Sequence, residues 1–503
     1  MDSKIFLFEE YNRIWQRVKN EENFALIRNG DGERGLILGR PFSAQEGWKS
    51  PNKQTLLGKA IKDSNSIIDP NYIIGISCPC CDIDAYHWYL QNIPSRNLTF
   101  ANLWVNSNYQ RFISDFSELN RDAIIIANHR AQGKKIGNLN ILKYYSVSDD
   151  CVSFWENEAG TLINKVVADF GDQKNLLFVV SAGPMSGPII AALFKHNPNN
   201  CYLDCGSAID AFYYEKQTRP YMDPSTVYAQ RKCWMHDPAN LDTSQKIHKT
   251  IHYCWFGHGK MSKLMKKCIR SWKKYCPDYE IIEWNEDNFD VNSTIWTKQA
   301  YEAKKWAFVS DYVRLWVLYN YGGIYMDTDV EVRKPLDRFL IHSAFSGFEN
   351  PEFVPTGIMG SAKGHPAIKM WLDYYKDRPY IVDGKPEKKP NVRFMTDMML
   401  EQGLILNNEY QEIAEMAFYP QTYFCPLNVV ENGNCISEKT HTIHHFTSTW
   451  RTKKEMRNFR KSRFRKTGLY RNMIWFRYLP NRAAQKVLGN ECYEKLKQIL
   501  KRG

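Results

Sequence analysis

The stretch "YNYGGIYMDTDVEV", residues 319–332, sets two aspartates one residue apart just after a double glycine and a run of apolar and aromatic side chains. Read as strand throughout, it turns Tyr325, Asp327, Asp329 and Glu331 to one face and Ile324, Met326, Thr328 and Val330 to the other. Three carboxylates on one face repel unless solvent or a cation compensates, and a hard divalent ion with oxygen ligands is the usual compensator. Taken alone, Asp327 and Asp329 read more readily as a solvated strand edge than as a metal pair, so the neighbouring segments decide.

Upstream, "KKWAFVSDYVRLWVLYNYGG" carries Trp306, Val309, Val313, Trp316 and Val317 at helical spacing. Asp311 and Arg314 lie three apart and share a face of that helix. By themselves they fit a surface ion pair worth under about 1 kcal/mol, or equally part of a site. Before the helix, "KTIHYCWFGHGK" reads as a strand, "MSKLMKKCIRSWKKYCP" as a helix and "YEIIEWNED" as a strand, which is β/α alternation. An EF-hand is excluded, because its loop needs glycine at the sixth position and Val332 stands there.

The first half alternates in the same way. In "NLLFVVSAGPMSGPIIAALFKHNPNNCYLDCGS", Leu176 to Val180 reads as a buried strand and Gly183 to Gly187 as a tight loop. Pro188 to Phe194 reads as a helix opened by proline, and Cys201 to Leu203 as a second strand ending at Asp204. Such a turn suits nucleotide phosphates, with a ribose near the acid, but the spacing is not the dinucleotide fingerprint and a plain structural βαβ unit fits as well. Earlier, "FALIRNGDGERGL" places a strand before Arg28, Asp31 and Glu33, with glycines to turn the chain around the acids. Arg28 there balances the acids or holds a phosphate.

At 503 residues the chain exceeds what one core supports. A polar break at "WMHDPANLDTSQKIHKT" separates a domain over residues 1–238 from one over 246–450, followed by a tail over 451–503. With 43% hydrophobic and 14% aromatic residues, long disorder is not expected. Nor is a signal peptide or a membrane span, since no run of about eighteen apolar residues occurs.

The net charge of +12 concentrates in the tail, where "RTKKEMRNFRKSRFRKTGLYR" interleaves Lys and Arg with aromatics. That pattern suits an anionic membrane surface, a phosphate backbone or a solvated helical face. Thirteen cysteines, an odd number mostly lying singly, suit a reducing cytosol. In "SCPCCD", Cys78, Cys80 and Cys81 have no second Cys/His pair at zinc-site spacing nearby, so the expectation is buried or incidental thiols ahead of zinc.

With "IHYCWFG", "SDYVRLWVLYNYGGIYMDTDVEV", "GIMGSAKGHP" and "IHHFTSTW" in that order, the second half resembles the Asp-x-Asp sugar-nucleotide glycosyltransferases of family 32. That family includes capsular polysaccharide enzymes and initiating mannosyltransferases, and is distantly similar to the large glucosylating toxins. The resemblance covers nearly all of residues 246–450. It implies a GT-A fold, a nucleoside-diphosphate sugar donor, UDP-sugars foremost, and retention of anomeric configuration. By it Asp329 binds Mn²⁺ or Mg²⁺, and Asp327 contacts the sugar and the metal's water shell. Asp311 and Arg314 hold sugar hydroxyls and the diphosphate, Tyr325 lines the donor pocket and Trp255 stacks on the base. His444 and Trp450 close the site, with His445 as the alternative to His444, and Thr449 stands where the family often has serine.

In the first half, "RNGDGE", "SAGPMSG", "YLDCGSAID" and "KQTRPY" resemble the GT-D group of bacterial glycosyltransferases, whose Asp-x-Glu pair serves donor and metal. The likeness implies Asp31 and Glu33 as that pair, with Glu33 at the metal, Arg28 at the diphosphate, and Gly183 and Asp204 near the nucleotide. The expected whole is an α/β protein with two Rossmann-like glycosyltransferase domains, GT-D-like then GT-A, and a basic helical tail. It would add two sugars to a growing, lipid-linked surface or capsular glycan at the cytoplasmic face of the membrane, where the tail binds anionic lipid. The alternative is a single activity with a non-catalytic N-terminal module. A nucleic-acid partner is not expected, because basic and aromatic residues mix only in the tail, and a two-metal phosphoesterase would show more His and Asp ligands.

Overall fold

The computed structural model describes residues 4–43, 49–242, 244–355, 357–387, 391–428 and 433–447. The chain separates into two compact units, Met1–Asp242 and Thr243–Gly503.

In the first unit, runs such as "YIIGI", "AIIIA" and "LFVVS" are apolar on both faces, as strands covered on both sides must be. They build a seven-stranded sheet in the order Leu98–Phe100, Tyr72–Ile76, Ala25–Arg28, Cys201–Asp204, Leu177–Ser181, Asp122–Asn128 and Asn140–Val147. Every neighbouring pair is parallel. From Ala25–Arg28 the chain steps outward on one side and then fills the other, ending on Cys201–Asp204 beside its starting strand. The crevice at the carboxyl ends of these two strands is the topological switch point, where open α/β sheets bind ligands.

The expected βαβ unit is present, with one difference. Its helix begins at Ser186, two residues before the proline, because the Ser186 hydroxyl accepts a hydrogen bond from Ala182 N and closes the turn early. Only Ala182 and the single 3-10 turn Gly183–Met185 separate strand from helix. The stretch after Arg28 also departs from expectation. The acids stand on a helix, Asp31–Ile37, rather than in a tight loop. Gly30 is extended and releases the chain into that helix, and acids in a first turn complement the positive helix end.

In the second unit the sheet is mixed. Its order is Glu280–Trp284, Thr250–Cys254, Gly323–Met326, Ile358–Ser361, Ala344–Gly347, Met416–Tyr419 and Gln411–Ile413. The first three strands are parallel to one another, and Ile358–Ser361 runs antiparallel to both of its neighbours. The helix Trp306–Tyr321 packs Val309, Val313, Val317 and Leu318 into the core, as its periodicity requires. It ends on Gly322 and Gly323, both at positive φ. A Cβ on Gly323 would stand 2.9 Å from Thr250 O and 3.0 Å from His252 Nε2, so the double glycine lets Gly323–Met326 press against Thr250–Cys254. Among the described residues no helix is long and apolar enough to cross a membrane.

Candidate active site

The strand Gly323–Met326 stops one residue short of the acidic pair. Asp327 N donates to Gly357 O, and Val330 N donates back to Asp327 O, so Asp327-Thr328-Asp329 is a turn. The expected single strand face carrying all three acids is therefore broken, because just past the last rung of the ladder, Asp327 N to Gly357 O, the chain turns back on itself through Val330 N to Asp327 O. A short strand resumes at Val330–Val332 and pairs antiparallel with Thr442–His444, with Val330 opposite His444. This pairing carries a histidine from more than a hundred residues away to the acidic turn.

His444 Nε2 lies 3.3 Å from Asp329 Oδ1 and 3.9 Å from Asp327 Oδ2. One ligand atom from each of the three residues falls within 4.8 Å of the others. Asp329 Oδ2 accepts hydrogen bonds from Thr447 N and Thr447 Oγ1, both at 2.7 Å. Burial works against the Asp329 carboxylate, but His444 and Thr447 outweigh it and hold the group well below the usual carboxylate range. Burial likewise works against the charged His444 ring, yet Asp329 raises it well above an ordinary histidine. His445 points elsewhere. Its Nε2 meets Glu331 Oε2 at 3.0 Å, where Lys267 Nζ also binds. Of the two histidines left open by the sequence, His444 faces the aspartates, and Glu331 is engaged by Lys267 and His445.

Arg314 spans two acids, with Nη2 3.1 Å from Asp327 Oδ1 and 3.3 Å from Asp311 Oδ1. The side chains of Arg314 and Asp311 are only 12% and 14% exposed, which rules out the surface ion pair. Burial pushes the Asp311 carboxyl up to about 7, with Arg314 opposing and Asp327 reinforcing the shift. Tyr325 donates from its hydroxyl to Asp327 Oδ1 at 3.2 Å, and the Arg314 guanidinium lies 4.8 Å from the centre of the Tyr325 ring.

Trp255 leaves the carboxyl end of Thr250–Cys254, the strand beside Gly323–Met326, and donates from Nε1 to Gly259 O at 2.7 Å. It thus shares a sheet edge with the acidic turn. Trp450 and Thr449 lie outside the described residues, as does the tail. Two residues at the site escaped the sequence reading. Thr447 sits within the quoted "IHHFTSTW", but nothing local distinguishes it from Thr449. Glu349, whose carboxyl burial pushes up to about 7, feels His444, Asp327 and Arg314, and no nearby motif marks it.

In the first unit, Arg28 and Asp204 meet at the switch point. Arg28 N donates to Asp204 Oδ2 at 3.1 Å, its Nη2 lies 3.7 Å from Asp204 Oδ1, and its Nη1 donates to Ala101 O at 3.0 Å. Burial raises the Asp204 carboxyl, and Arg28 opposes it. Gly206, at φ +48°, closes over this pair, since a Cβ there would lie 2.0 Å from Arg28 Nη2. Gly183, at φ +54°, follows the next strand along. Arg28 is thus paired with Asp204. Glu33 stands on the first turn of Asp31–Ile37, and the Asp31 side chain lies outside the described residues. The three clustered cysteines have also gained a fourth, Cys233, which local spacing could not disclose.

Residues 262–346 match the family model described as a glycosyltransferase sugar-binding region containing a DXD motif. Asp311, Arg314, Tyr325, Asp327 and Asp329 fall inside that match, and Glu349 and His444 outside it. The chain is similar to inositol phosphoceramide mannosyltransferase 3 of Schizosaccharomyces pombe, 32% identical over 133 residues, which are 25% of this chain and 36% of that protein. It is also similar to the mannosyl phosphorylinositol ceramide synthase CSH1 of Saccharomyces cerevisiae, 30% identical over 148 residues, 27% of this chain and 38% of that one. The chain thus spans little more than a third of the length of these relatives. Among solved structures it is similar to the PaToxG glycosyltransferase, with a TM-score of 0.21 and 20% identity over 26% of this chain and 60% of that one. A second is the domain of unknown function 1792, titled as having a distinct glycosyltransferase fold, with a TM-score of 0.30 and 13% identity over 42% and 88%.

Proposed function

We propose that this chain is a glycosyltransferase whose second unit takes a nucleoside-diphosphate sugar, UDP-sugars foremost, and passes its hexose with retention to a glycan or lipid-linked acceptor. The observation that carries the reading is the convergence of His444 on Asp327 and Asp329, which with Arg314, tied to Asp327, lie inside the sugar-binding region match. The donor set fits a divalent cation: two carboxylates and an imidazole nitrogen already face one another, and Thr447 holds one carboxylate ionised. Asp327, Asp329 and His444 would hold Mn²⁺ or Mg²⁺. Such an ion supplies charge to offset what builds on the diphosphate as the anomeric C–O bond breaks. Arg314 fixes the Asp327 carboxylate through one oxygen, leaving the other for metal or sugar, and adds positive charge of its own. Trp255 offers an aromatic face at the same sheet edge for the base.

The test is a screen of nucleotide sugars for Mn²⁺-dependent hydrolysis and transfer by the full chain and by its Asp329→Ala variant. Turnover that Asp329→Ala leaves unchanged, or none with any donor, would sink the reading.

The Arg28–Asp204 pair favours a second donor site in the first unit, at which Asp31 and Glu33 would serve donor and metal, so that the protein adds two sugars in succession. Following both additions in an Asp31→Ala/Glu33→Ala variant separates this from a non-catalytic module, which would leave the products unchanged. We infer that the transfer takes place at the cytoplasmic face of the membrane. Two features support this: the basic aromatic tail, and relatives whose names carry a ceramide lipid.

A further inference from the structure

Four cysteines of the first unit come together. Cys78 caps the helix Pro79–Asn92, Cys80 and Cys81 stand on its first turn, and Cys233 immediately precedes the strand Trp234–His236. Their four sulfurs all lie within 4.8 Å of one another. The closest separations are 3.4 Å for Cys78–Cys80 and 3.7 Å for Cys81–Cys233, and all four are free thiols. A tetrahedral metal with Zn–S bonds of about 2.3 Å spaces its sulfurs by about 3.8 Å, so these thiols need only minor adjustment to become ligands.

We propose that Cys78, Cys80, Cys81 and Cys233 bind one Zn²⁺ as a closed, structural tetrathiolate site. Its surroundings have the chemistry such a site requires. Four thiolates around a divalent ion leave two net negative charges, which hydrogen-bond donors to sulfur must offset. Asn102 Nδ2 lies 3.1 Å from Cys233 Sγ and 3.9 Å from both Cys78 Sγ and Cys81 Sγ. Asn106 Nδ2 reaches Cys233 Sγ at 3.6 Å and Cys81 Sγ at 3.9 Å, and Arg231 Nη1 reaches Cys81 Sγ at 3.8 Å. Five contacts from two amides and one from a guanidinium converge on the sulfurs. Cys78 and Cys233 are buried, Cys80 is half-buried and Cys81 lies at the surface.

The position explains what the metal would do. Trp234–His236 pairs with Lys4–Phe6, a two-stranded ribbon outside the main sheet. A metal that joins Cys233 to Cys78 closes a loop of about 150 residues, restricting the unfolded chain and pinning this ribbon to the end of Tyr72–Ile76. Asn102 follows Ala101, whose carbonyl holds the Arg28 guanidinium, so the same linkage steadies the wall of the switch-point crevice.

The full-length chain, purified under reducing conditions without chelator, is assayed for metal by mass spectrometry. The expected content is about one zinc per chain. It persists in Asp327→Asn/Asp329→Asn, which alters the other cluster, and falls to background in Cys81→Ser/Cys233→Ser. Because that double variant risks misfolding, the wild-type chain stripped of metal is also titrated with Co²⁺. A tetrahedral tetrathiolate spectrum, with thiolate-to-cobalt charge transfer displaced by one equivalent of Zn²⁺, is expected. Absence of both zinc and the cobalt spectrum overturns the site, as does a Cys81–Cys233 disulfide in the native protein. Iron in place of zinc overturns the metal assignment.

Discussion

The guanidinium of Arg314 lies 3.1 Å from Asp327, joining the middle of a buried helix to the first acid of the Asp-x-Asp turn. Asp311 completes the arrangement at 3.3 Å on the other side of the same nitrogen. One cation therefore compensates two acids in a place with little water, and each acid depends on it.

Replacing Arg314 by methionine should accordingly affect both activity and stability. It removes the positive charge beside the diphosphate site, with an expected loss of about 100- to 1,000-fold in kcat/KM. It also strands Asp311 and Asp327, at an expected cost of about 3–5 kcal/mol. Arg314→Lys keeps the charge and should recover most of the stability but only part of the rate. Urea unfolding and steady-state kinetics on both variants measure this. Equal stability of Arg314→Met and wild type would contradict the role.

Thr447 makes a narrower prediction. Its hydroxyl and backbone amide both donate to Asp329 Oδ2, so Thr447→Val deletes one of the two bonds to that oxygen. Metal affinity should fall by about 10- to 100-fold while the fold is retained. The check is the Mn²⁺ concentration for half-maximal activity. EDTA should abolish turnover in both proteins, and Mn²⁺ should restore it at a higher concentration in the variant.

How much of this could be read beforehand depends on distance along the chain. The helix with Asp311 and Arg314, the double glycine and Tyr325 all lie within twenty residues of Asp327, and their mutual placement follows from helical periodicity and one tight turn. The break in the strand did not follow, because the alternating pattern runs on through Asp327-Thr328-Asp329 and carries no turn residue where Val330 N bonds back to Asp327 O. His444 was reachable only as one of two neighbours, and strand register against Val330 separates them. Cys233 and Thr447 act through sheet topology and carry no local signal. In the first unit, the run of apolar strands announced a parallel sheet. The partner of Arg28, however, is 176 residues away, and no local pattern pairs it with Asp204.

Gly206 tests the switch-point crevice. With φ at +48° and a hypothetical Cβ 2.0 Å from Arg28 Nη2, Gly206→Ala must either strain the backbone or expel the guanidinium. A destabilisation of about 1–3 kcal/mol is expected. If the first unit serves the second sugar addition, that product should be lost selectively, while metal-dependent donor hydrolysis by the second unit stays within about twofold of wild type. Product analysis by mass spectrometry alongside a melting curve reads both effects.

The last prediction concerns acid stability and rests on His252, buried beneath Gly322 and Gly323. Trp284 Nε1 donates to His252 Nδ1 at 3.1 Å, so Nδ1 is an acceptor and Nε2, 3.0 Å from Gly322 O, carries the proton and donates. That is the neutral ring with both nitrogens satisfied. Protonating Nδ1 would set its new N–H against the Trp284 N–H. Burial lowers the His252 pKa to about 4, against the partial opposition of the Gly322 carbonyl. The unfolded chain, with a histidine near its ordinary 6.5, therefore binds a proton that the folded chain refuses between these values. Stability from this residue is full above pH ~6.5 and is lost as pH falls toward about 4, by about 3 kcal/mol in all. His252→Gln keeps a donor and an acceptor without a proton to gain in this range. Its urea midpoint, lower than wild type at neutral pH, should decline less steeply between pH 6.5 and 4, and parallel slopes would rule His252 out.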